Sequence, residues 1–252
     1  MAEQFHFQIK GEDVTATEYH ATGSPLGITL LLGHGSTTTQ HDPFMVEYAT
    51  GLAERGVLVV TYDSPLLDQH DRPTAEGGER LEAVYRAAIS AARQCRPKNL
   101  LFIGGKSLGG HLASKIVAAA DDDTLDVHGV LVLGYPLHPI GERTHHANHL
   151  YAVDVPMLIV QGTRDVFGTP DELRPIVRNL PEGSELYVVE GGDHSFSVSN
   201  DALRQRGTHA SIQDEIAGWL AATAERPLRS RPKRAPVRPH LDDQIKSLRR
   251  GS

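Results

Sequence analysis

The sequence predicts an α/β fold: a mostly parallel β-sheet with helices on both of its faces. Between about residue 27 and residue 224, short runs of β-branched residues alternate with helical patterns, and this alternation is typical of parallel βαβ units. The 252 residues are 39% hydrophobic and 23% charged, which are ordinary values for a globular protein that can bury a substantial core. We therefore expect one domain over residues 1–225, followed by a separate tail.

The predicted strands are short and continuously apolar, as expected for strands that a sheet buries on both faces. They lie at residues 28–32, 57–62, 100–103, 130–133, 157–160 and 186–189. Ahead of them, Phe5, Phe7 and Ile9 alternate with polar residues. That pattern predicts an antiparallel strand or hairpin at the edge of the sheet.

The predicted helices lie between these strands. Asp42 and Pro43 have the residue types of a helix cap and a first helical position, and the helix that they open is expected to end at Gly56. Apolar residues at helical spacing predict three further helices, which cover residues 79–95, begin at residue 108 and include residues 212–220.

The charge is distributed unevenly along the chain. Residues 226–252 hold nine Lys or Arg and two Asp, whereas the preceding 225 residues hold 16 basic and 30 acidic side chains. The basic segment also contains four prolines and little apolar periodicity, which predicts a disordered tail that contacts an anionic partner, if it contacts anything. The acidic body argues against nucleic-acid binding by the folded domain.

Cysteine usage and hydropathy favour a cytoplasmic protein. Cys95 is the only cysteine, which excludes an internal disulfide and favours a reducing compartment. The first residues lack the basic segment and apolar run of a signal peptide. No apolar run approaches the length of a membrane span, so no membrane contact is expected.

The strongest signal for chemistry lies at residues 105–109, which have the sequence Gly-Lys-Ser-Leu-Gly between a predicted strand and a predicted helix. In that context G-x-S-x-G forms a nucleophile elbow, a turn too tight for large side chains two residues either side of the serine, whose hydroxyl stands above the sheet edge. The start of the following helix favours developing negative charge. Ser107 is therefore the predicted nucleophile.

Residues 105–107 also match the last three positions of the phosphate-binding motif G-x-x-x-x-G-K-S, but that motif requires a glycine at position 100. Leu100 occupies this position inside a predicted strand, so the chain has no loop there to wrap a phosphate. We expect neither a nucleotide nor another cofactor.

The predicted acid and base follow the serine in the chain order of nucleophile-elbow hydrolases. Asp165 directly follows one predicted strand and His194 follows the next, so both lie at the carboxyl edge of the sheet, where open α/β sheets place their sites. His194 would accept the proton of Ser107, and Asp165 would fix the tautomer of the imidazole.

Three other carboxylates, Asp154, Glu190 and Asp193, also lie near strand ends. Asp154 precedes its strand and therefore lies at the wrong edge of a parallel sheet. Asp193 adjoins His194, and neighbouring side chains in an extended loop diverge, while Glu190 would have to fold back on its own strand. Asp165 is therefore the preferred acid.

Two backbone N–H groups are predicted to form an oxyanion hole. One belongs to Leu108, which follows the nucleophile, and the other to Ser36, in the Gly-His-Gly-Ser segment after the strand at residues 28–32. Small residues in that segment let the backbone approach the substrate.

On these motifs the chain resembles the α/β-hydrolase superfamily, and more narrowly a bacterial dienelactone-hydrolase-like group related to the testis-expressed and KANSL-type hydrolase-like proteins. The shared motifs lie at residues 33–35, 42–45, 105–110, 134–139, 162–168 and 192–194. The resemblance implies the α/β-hydrolase fold, a Ser-Asp-His triad and hydrolase chemistry, but no particular substrate. Lys106 and Leu108 depart from the Arg and Met expected in the group without touching the triad. Dienelactone hydrolases proper use a cysteine nucleophile, so Ser107 argues against that specific activity.

His34 and Tyr135 are candidate substrate-binding residues because they lie in motifs that directly follow strands. Residues 137–151 lie where many hydrolases insert a lid, and the segment is short, so we expect a small or absent cap. Within it, His145 and His149 have the spacing of a metal-binding pair, but no nearby carboxylate or cysteine completes a ligand set. No metal is expected.

The sequence thus predicts a serine hydrolase that cleaves a carboxylic ester or thioester of a small molecule through an acyl-enzyme. The alternative is a catalytically idle protein of the same fold that binds a partner through its tail, although the intact triad positions argue against it. A peptidase would usually need a larger cap or a propeller, which the sequence does not encode. The acyl group, the leaving group and the oligomeric state stay open.

Overall fold

The computed structural model describes residues 2–64, 75–120, 125–142 and 146–226. The helices and strands in chain order are β1 (Ala2–Ile9), β2 (Glu12–Tyr19), β3 (Ile28–Gly33), α1 (Pro43–Glu54), β4 (Leu58–Tyr62), α2 (Ala75–Cys95), β5 (Leu100–Lys106), α3 (Leu108–Ala118), β6 (Gly129–Leu133), β7 (Met157–Gly162), α4 (Pro170–Val177), β8 (Glu185–Val189) and α5 (Ala202–Ala224). The predicted tail, apart from its first residue, falls outside the described residues.

The strands form one eight-stranded sheet in the order β1-β2-β4-β3-β5-β6-β7-β8. β2 pairs antiparallel with both β1 and β4, whereas the pairs from β4 to β8 are parallel. Lys10 and Gly11 join β1 to β2 with φ values of 49° and 85°, as a two-residue turn of type I′ requires. The predicted edge hairpin and mostly parallel sheet are confirmed.

Helices cover both faces of the sheet, which is why its central strands are apolar throughout. On one face, α2, α3 and α4 contribute buried side chains such as Tyr85, Ile116 and Leu173. On the other face, α1 and α5 contribute Leu52 and Trp219. Within the described ranges, no helix is long and apolar enough to cross a bilayer.

The predicted start of α1 is confirmed. The carboxylate of Asp42 accepts a hydrogen bond from the N–H of Phe44 at 2.9 Å, and Pro43 is the first helical residue. The helix ends at Glu54, two residues before Gly56. Gly56 itself has a φ of 88°, the left-handed conformation common just after a helix.

Sequence reasoning missed α4, although residues 169–172 contain a start signal. The N–H and Oγ1 groups of Thr169 both donate to Glu172 Oε2 at 2.8 Å, and Pro170 is the first helical residue. This capping arrangement is visible in the sequence Thr-Pro-Asp-Glu. The helix is short and buries few apolar side chains, among them Leu173 and Ile176, so its periodicity alone is weak.

The connection between β6 and β7 contains a short 3-10 helix, Asn148–Ala152. It is the single helix among the residues that the structure describes in this connection. The prediction of a small or absent cap agrees with this arrangement.

Candidate active site

Ser107 lies at the carboxyl edge of the sheet, between β5 and α3. Its backbone has φ 49° and ψ −110°, a strained conformation for a residue with a side chain. The N–H of Ser107 donates to the carbonyl of Leu133 at 3.0 Å, which anchors the turn to the end of β6. These features are those of a nucleophile elbow.

The two glycines of the elbow are required by the close approach of β3. A Cβ atom on Gly105 would lie 2.2 Å from the carbonyl oxygen of Gly33, and one on Gly109 would lie 2.3 Å from the same oxygen. Both distances are far below van der Waals contact, so a side chain at either position would push the turn away from the sheet. The sequence motif therefore encodes a packing constraint as well as a tight turn.

The structure brings His194 and Asp165 into direct contact, from the loops after β8 and β7. Nδ1 of His194 lies 2.7 Å from Oδ2 of Asp165, and the carboxylate is buried. It also accepts hydrogen bonds from the N–H of Phe167 and from Nε2 of Gln161, each at 2.9 Å. Because the ionised carboxylate only accepts, Nδ1 carries the hydrogen and Nε2 is the basic nitrogen.

Gly134 lies against the imidazole of His194. It directly follows β6, has a φ of 72°, and a Cβ atom there would lie 3.1 Å from Nδ1 of His194. The residue before it, Leu133, accepts the hydrogen bond from Ser107. The His194 loop and the Ser107 turn therefore both pack against the end of β6.

The competing carboxylates have other partners or positions. Asp193 accepts hydrogen bonds from two N–H groups of its own loop at 2.8 and 2.9 Å. Glu190 accepts a hydrogen bond from the hydroxyl of Thr163 at 3.4 Å. Asp154 precedes β7 and lies at the amino edge of the sheet. Among the four, Asp165 is the carboxylate that faces the imidazole.

The two predicted oxyanion donors lie on loops beside the elbow. Leu108 is the first residue of α3, where backbone N–H groups have no partner within the helix. Ser36 is exposed in the turn after β3. The preceding Gly35 lies against the elbow, because a Cβ atom there would lie 3.8 Å from Cγ of Lys106. Their role as donors stays a prediction.

The chain matches the α/β hydrolase domain family over residues 27–221. It belongs to the α/β hydrolase family.

Several solved structures are similar to this chain. One is an α/β serine hydrolase without a lid from Xanthomonas campestris, which is 15% identical in sequence and has a TM-score of 0.68. The match covers 90% of this chain and 96% of that chain. A dienelactone hydrolase from Anabaena variabilis is 16% identical with a TM-score of 0.65, and 88% and 97% of the two chains are covered. The esterase domain of a Rhodothermus marinus protein is 14% identical with a TM-score of 0.64, with coverage of 88% and 98%. At these identities the likeness shows the fold.

The two candidate substrate-binding residues of this α/β hydrolase are both buried. The side chain of Tyr135 has 0% of its surface exposed, and its hydroxyl donates to the carbonyl of His146 at 2.9 Å. Its side chain is therefore packed in the core, and a role for Tyr135 in substrate binding stays a prediction. His34 is also buried; Nδ1 lies 2.7 Å from the carbonyl of Gly35, and Nε2 accepts from the N–H of Ser64 at 3.0 Å. Both ring nitrogens of His34 are therefore engaged within the protein, and its contact with a substrate stays a prediction.

Sequence reasoning missed Gln161, which connects the acid to β6. Its side chain is fully buried; Oε1 accepts the N–H of Tyr135 at 2.7 Å, while Nε2 donates to Asp165 at 2.9 Å and to the carbonyl of Gly168 at 2.7 Å. A buried amide with all these partners fixes the carboxylate. The available signal was a polar residue near the end of an otherwise apolar strand.

A second group of histidines lies along α3 and the neighbouring 3-10 helix. The rings of His111 and His149 are 4.9 Å apart and nearly perpendicular, and Nε2 of His149 lies 2.8 Å from the hydroxyl of Ser114. His145, the other member of the pair considered for a metal, lies outside the described residues. Among the residues that are described, no group of three or more His, Cys, Asp or Glu side chains could hold a metal ion.

Two surface grooves of the hydrolase lie away from these residues. One of about 530 Å³ runs between β8 and α5 and is lined by residues that include Tyr187 and Trp219. The other, of about 190 Å³, lies between β1 and α2 and includes Arg80. Neither contains a residue of the predicted triad, so side-chain chemistry rather than groove size identifies the candidate site.

Proposed function

We propose that this α/β hydrolase cleaves a carboxylic ester or thioester through an acyl-enzyme, with Ser107 as nucleophile, His194 as general base and Asp165 as the residue that orients the base. The observation that carries the proposal is the 2.7 Å contact between Nδ1 of His194 and the buried carboxylate of Asp165, beside a strained serine turn. Solved relatives of this fold described as an esterase domain and as a serine hydrolase support the same chemistry.

In the proposed first half-reaction, Oγ of Ser107 attacks the acyl carbon as Nε2 of His194 takes its proton. The carbonyl oxygen becomes an oxyanion, which the backbone N–H groups of Leu108 and Ser36 would stabilise. The tetrahedral intermediate then breaks its bond to the leaving alcohol or thiol, which receives the proton from the imidazolium. Water repeats these steps on the acyl-enzyme and releases the carboxylic acid.

Asp165 contributes through charge and orientation. Its carboxylate stabilises the imidazolium that forms at each proton transfer, and the hydrogen bond to Nδ1 keeps Nε2 directed away from the acid. The donors from Phe167 and Gln161 hold the carboxylate at fixed geometry. Pre-organised geometry of this kind is what the reaction requires, because reorganisation would otherwise add to the barrier.

The strain at Ser107 favours an enzyme over an idle binding protein, since strained backbone at a loop is costly and persists where function requires it. The narrower relationship to the testis-expressed and KANSL-type proteins rests on the sequence motifs, above all the one at residues 134–139. A cytoplasmic location and an anionic partner for the basic tail are further proposals that rest on composition.

Labelling with a fluorophosphonate, followed by hydrolysis of activated esters of increasing acyl length, tests the proposed function. We expect Ser107→Ala to abolish labelling and to lower kcat by on the order of 10⁴-fold or more. Ser114→Ala is the matched control, because Ser114 is a buried serine on α3 that bonds His149 instead, and it should keep labelling. If a folded Ser107→Ala protein keeps most of the ester hydrolysis, the nucleophile assignment is wrong.

A further inference from the structure

Lys106, the residue before the nucleophile, is a buried lysine that contacts the loop of the general base. Its side chain is 7% exposed, and Nζ donates to the backbone carbonyl of His194 at 2.6 Å. Nζ also lies 5.6 Å from the centre of the Phe44 ring, within the range of a cation–π interaction. A buried ammonium group needs such partners, because losing its hydration is costly.

Three carboxylates from different parts of the fold are close enough to interact electrostatically with this ammonium group. Asp165 lies in the loop after β7, Asp193 in the loop after β8, and Asp42 at the start of α1, and each interacts electrostatically with Lys106. Lys106 is therefore a buried cation among these loops. A second cation there is Arg164, the residue before Asp165, whose guanidinium donates to the carbonyls of Gly191 and Ser197 at 2.6 and 3.1 Å. The one hydrogen bond from Lys106 to the base loop goes to the backbone, so Lys106 positions the imidazole without binding either ring nitrogen.

We propose that Lys106 is a positioning residue, whose ammonium form holds the His194 loop in its working geometry and whose neutral form releases it. The proposal rests on the proposed function and adds an electrostatic control to the same site. A charge-assisted hydrogen bond is roughly twice as strong as a neutral one. Loss of the charge would weaken the hydrogen bond from Nζ to the carbonyl of His194, and the three carboxylates would lose a nearby positive charge. The His194 loop could then shift, and a displacement of about 1 Å in a catalytic group can cost about 10²-fold in rate.

The protonation of Lys106 changes within an accessible pH range. Burial lowers the pKa of Lys106 to about 8, and the carboxylates of Asp165, Asp193 and Asp42 oppose this shift without cancelling it. The ammonium is therefore present below that pH and is lost above it. Activity should therefore fall on the alkaline side as Lys106 loses its proton.

The test measures kcat, KM and the rate of fluorophosphonate labelling of Ser107 between about pH 5 and about pH 10 for wild type, Lys106→Met and Lys106→Arg. We expect the wild-type rate to decline above about pH 8, where burial places the pKa of Lys106. Lys106→Met should lower kcat on the order of 10–100-fold with little change in KM and no alkaline decline. Lys106→Arg should restore much of the rate and also lack the decline, because a guanidinium stays charged.

Lys115→Met is the matched control, because Lys115 is a partly exposed lysine on α3 that pairs with Glu82 at 2.7 Å. It should keep the wild-type profile. Lys106→Met with a wild-type rate and an unchanged alkaline decline would overturn the proposal. So would Lys106→Arg that declines at the same pH as wild type.

An NMR titration separates this proposal from the proposed function. The Nδ1 proton of His194, bonded to Asp165, should shift or broaden as the pH passes about 8 in wild type, the pKa of Lys106, and stay unchanged in Lys106→Arg. A wild-type protein that never reacts with the fluorophosphonate would remove the proposed function, while the titration still decides the role of Lys106. The same titration on Lys106→Arg decides it if Lys106→Met does not fold.

Discussion

His194 and the pair His111 and His149 lie at the carboxyl edge of the sheet and along α3, and their ring nitrogens have different partners. His194 has the buried carboxylate of Asp165 at 2.7 Å from Nδ1. His111, one helical turn after the serine, instead has the ring of His149 at 4.9 Å and the hydroxyl of Tyr135 at 3.4 Å from Nδ1. His111 is nearer to Ser107 in the sequence, but the carboxylate of Asp165 that a histidine base needs lies beside His194.

The partners decide what each ring does. Burial, with smaller contributions from His149 and Lys115, lowers the pKa of His111 to about 3. Burial also lowers the pKa of His149 to about 4, with Lys115 acting in the same direction. These two rings stay neutral near pH ~7 and serve as packing and hydrogen-bonding groups. A buried histidine becomes a useful base when a negative partner stabilises its imidazolium, and Asp165 is placed to do so.

The largest effect is expected from removing the negative charge beside His194. Asp165→Asn should lower kcat by roughly 10²–10⁴-fold with little change in stability, because an amide can donate to Nδ1 and favour the wrong tautomer. Steady-state kinetics on activated esters measure it. Glu190→Gln is the matched control, since Glu190 lies near the same loop and bonds Thr163. A nearly silent Asp165→Asn with a crippled Glu190→Gln or Asp193→Asn would refute the triad.

A smaller effect is expected from crowding the imidazole. A Cβ atom on Gly134 would lie 3.0 Å from the carbonyl oxygen of His194 and 3.1 Å from its Nδ1, whereas one on Gly141 would meet nothing within 4 Å. Their φ values are 72° and 81°, so alanine costs similar left-handed strain at both, about 1–2 kcal/mol. Both variants should lose similar stability in urea unfolding, but Gly134→Ala alone should lower kcat, by on the order of tenfold. Equal kcat values would show that the imidazole tolerates the added methyl group.

A third effect leaves catalysis unchanged and concerns stability at low pH, where it tests the neutral histidines. The pKa of His111 is about 3 in the folded protein, below the value near 6.5 expected in the unfolded chain. The unfolded state therefore binds more protons, and the free energy of unfolding falls as the pH drops from about 6.5 towards 3. His111→Phe should reduce this slope between about pH 4 and 6 by about 1.4 kcal/mol per pH unit.

Urea unfolding of wild type and His111→Phe at several pH values measures that slope. The rate of fluorophosphonate labelling at each pH should be the same in both proteins, because His194 rather than His111 is the proposed base. An unchanged slope would mean that His111 also takes up its proton in the folded state, contrary to its burial.

The sequence determined the parts of this protein that depend on local pattern. Apolar runs located the strands from β3 to β8, and Asp42 with Pro43 located the start of α1. The carboxyl ends of parallel strands share one edge whatever their order, which is why Asp165 and His194 were expected together before their strands were known to be neighbours. The glycines of the elbow were also visible, because a tight turn restricts residue type locally.

The tertiary structure decided which side chains face the site. Tyr135 follows a strand end in a conspicuous motif, yet its side chain turns into the core and bonds the carbonyl of His146. Lys106 contacts His194 across 88 residues of sequence, and Gln161 bonds Asp165 within a buried network. Such contacts depend on how the loops after separate strands fold over one another. The repeat of apolar residues, every two positions in a strand and every 3.6 in a helix, predicts which side chains of that element face the core. It carries no information about the direction of a side chain in the loop that follows.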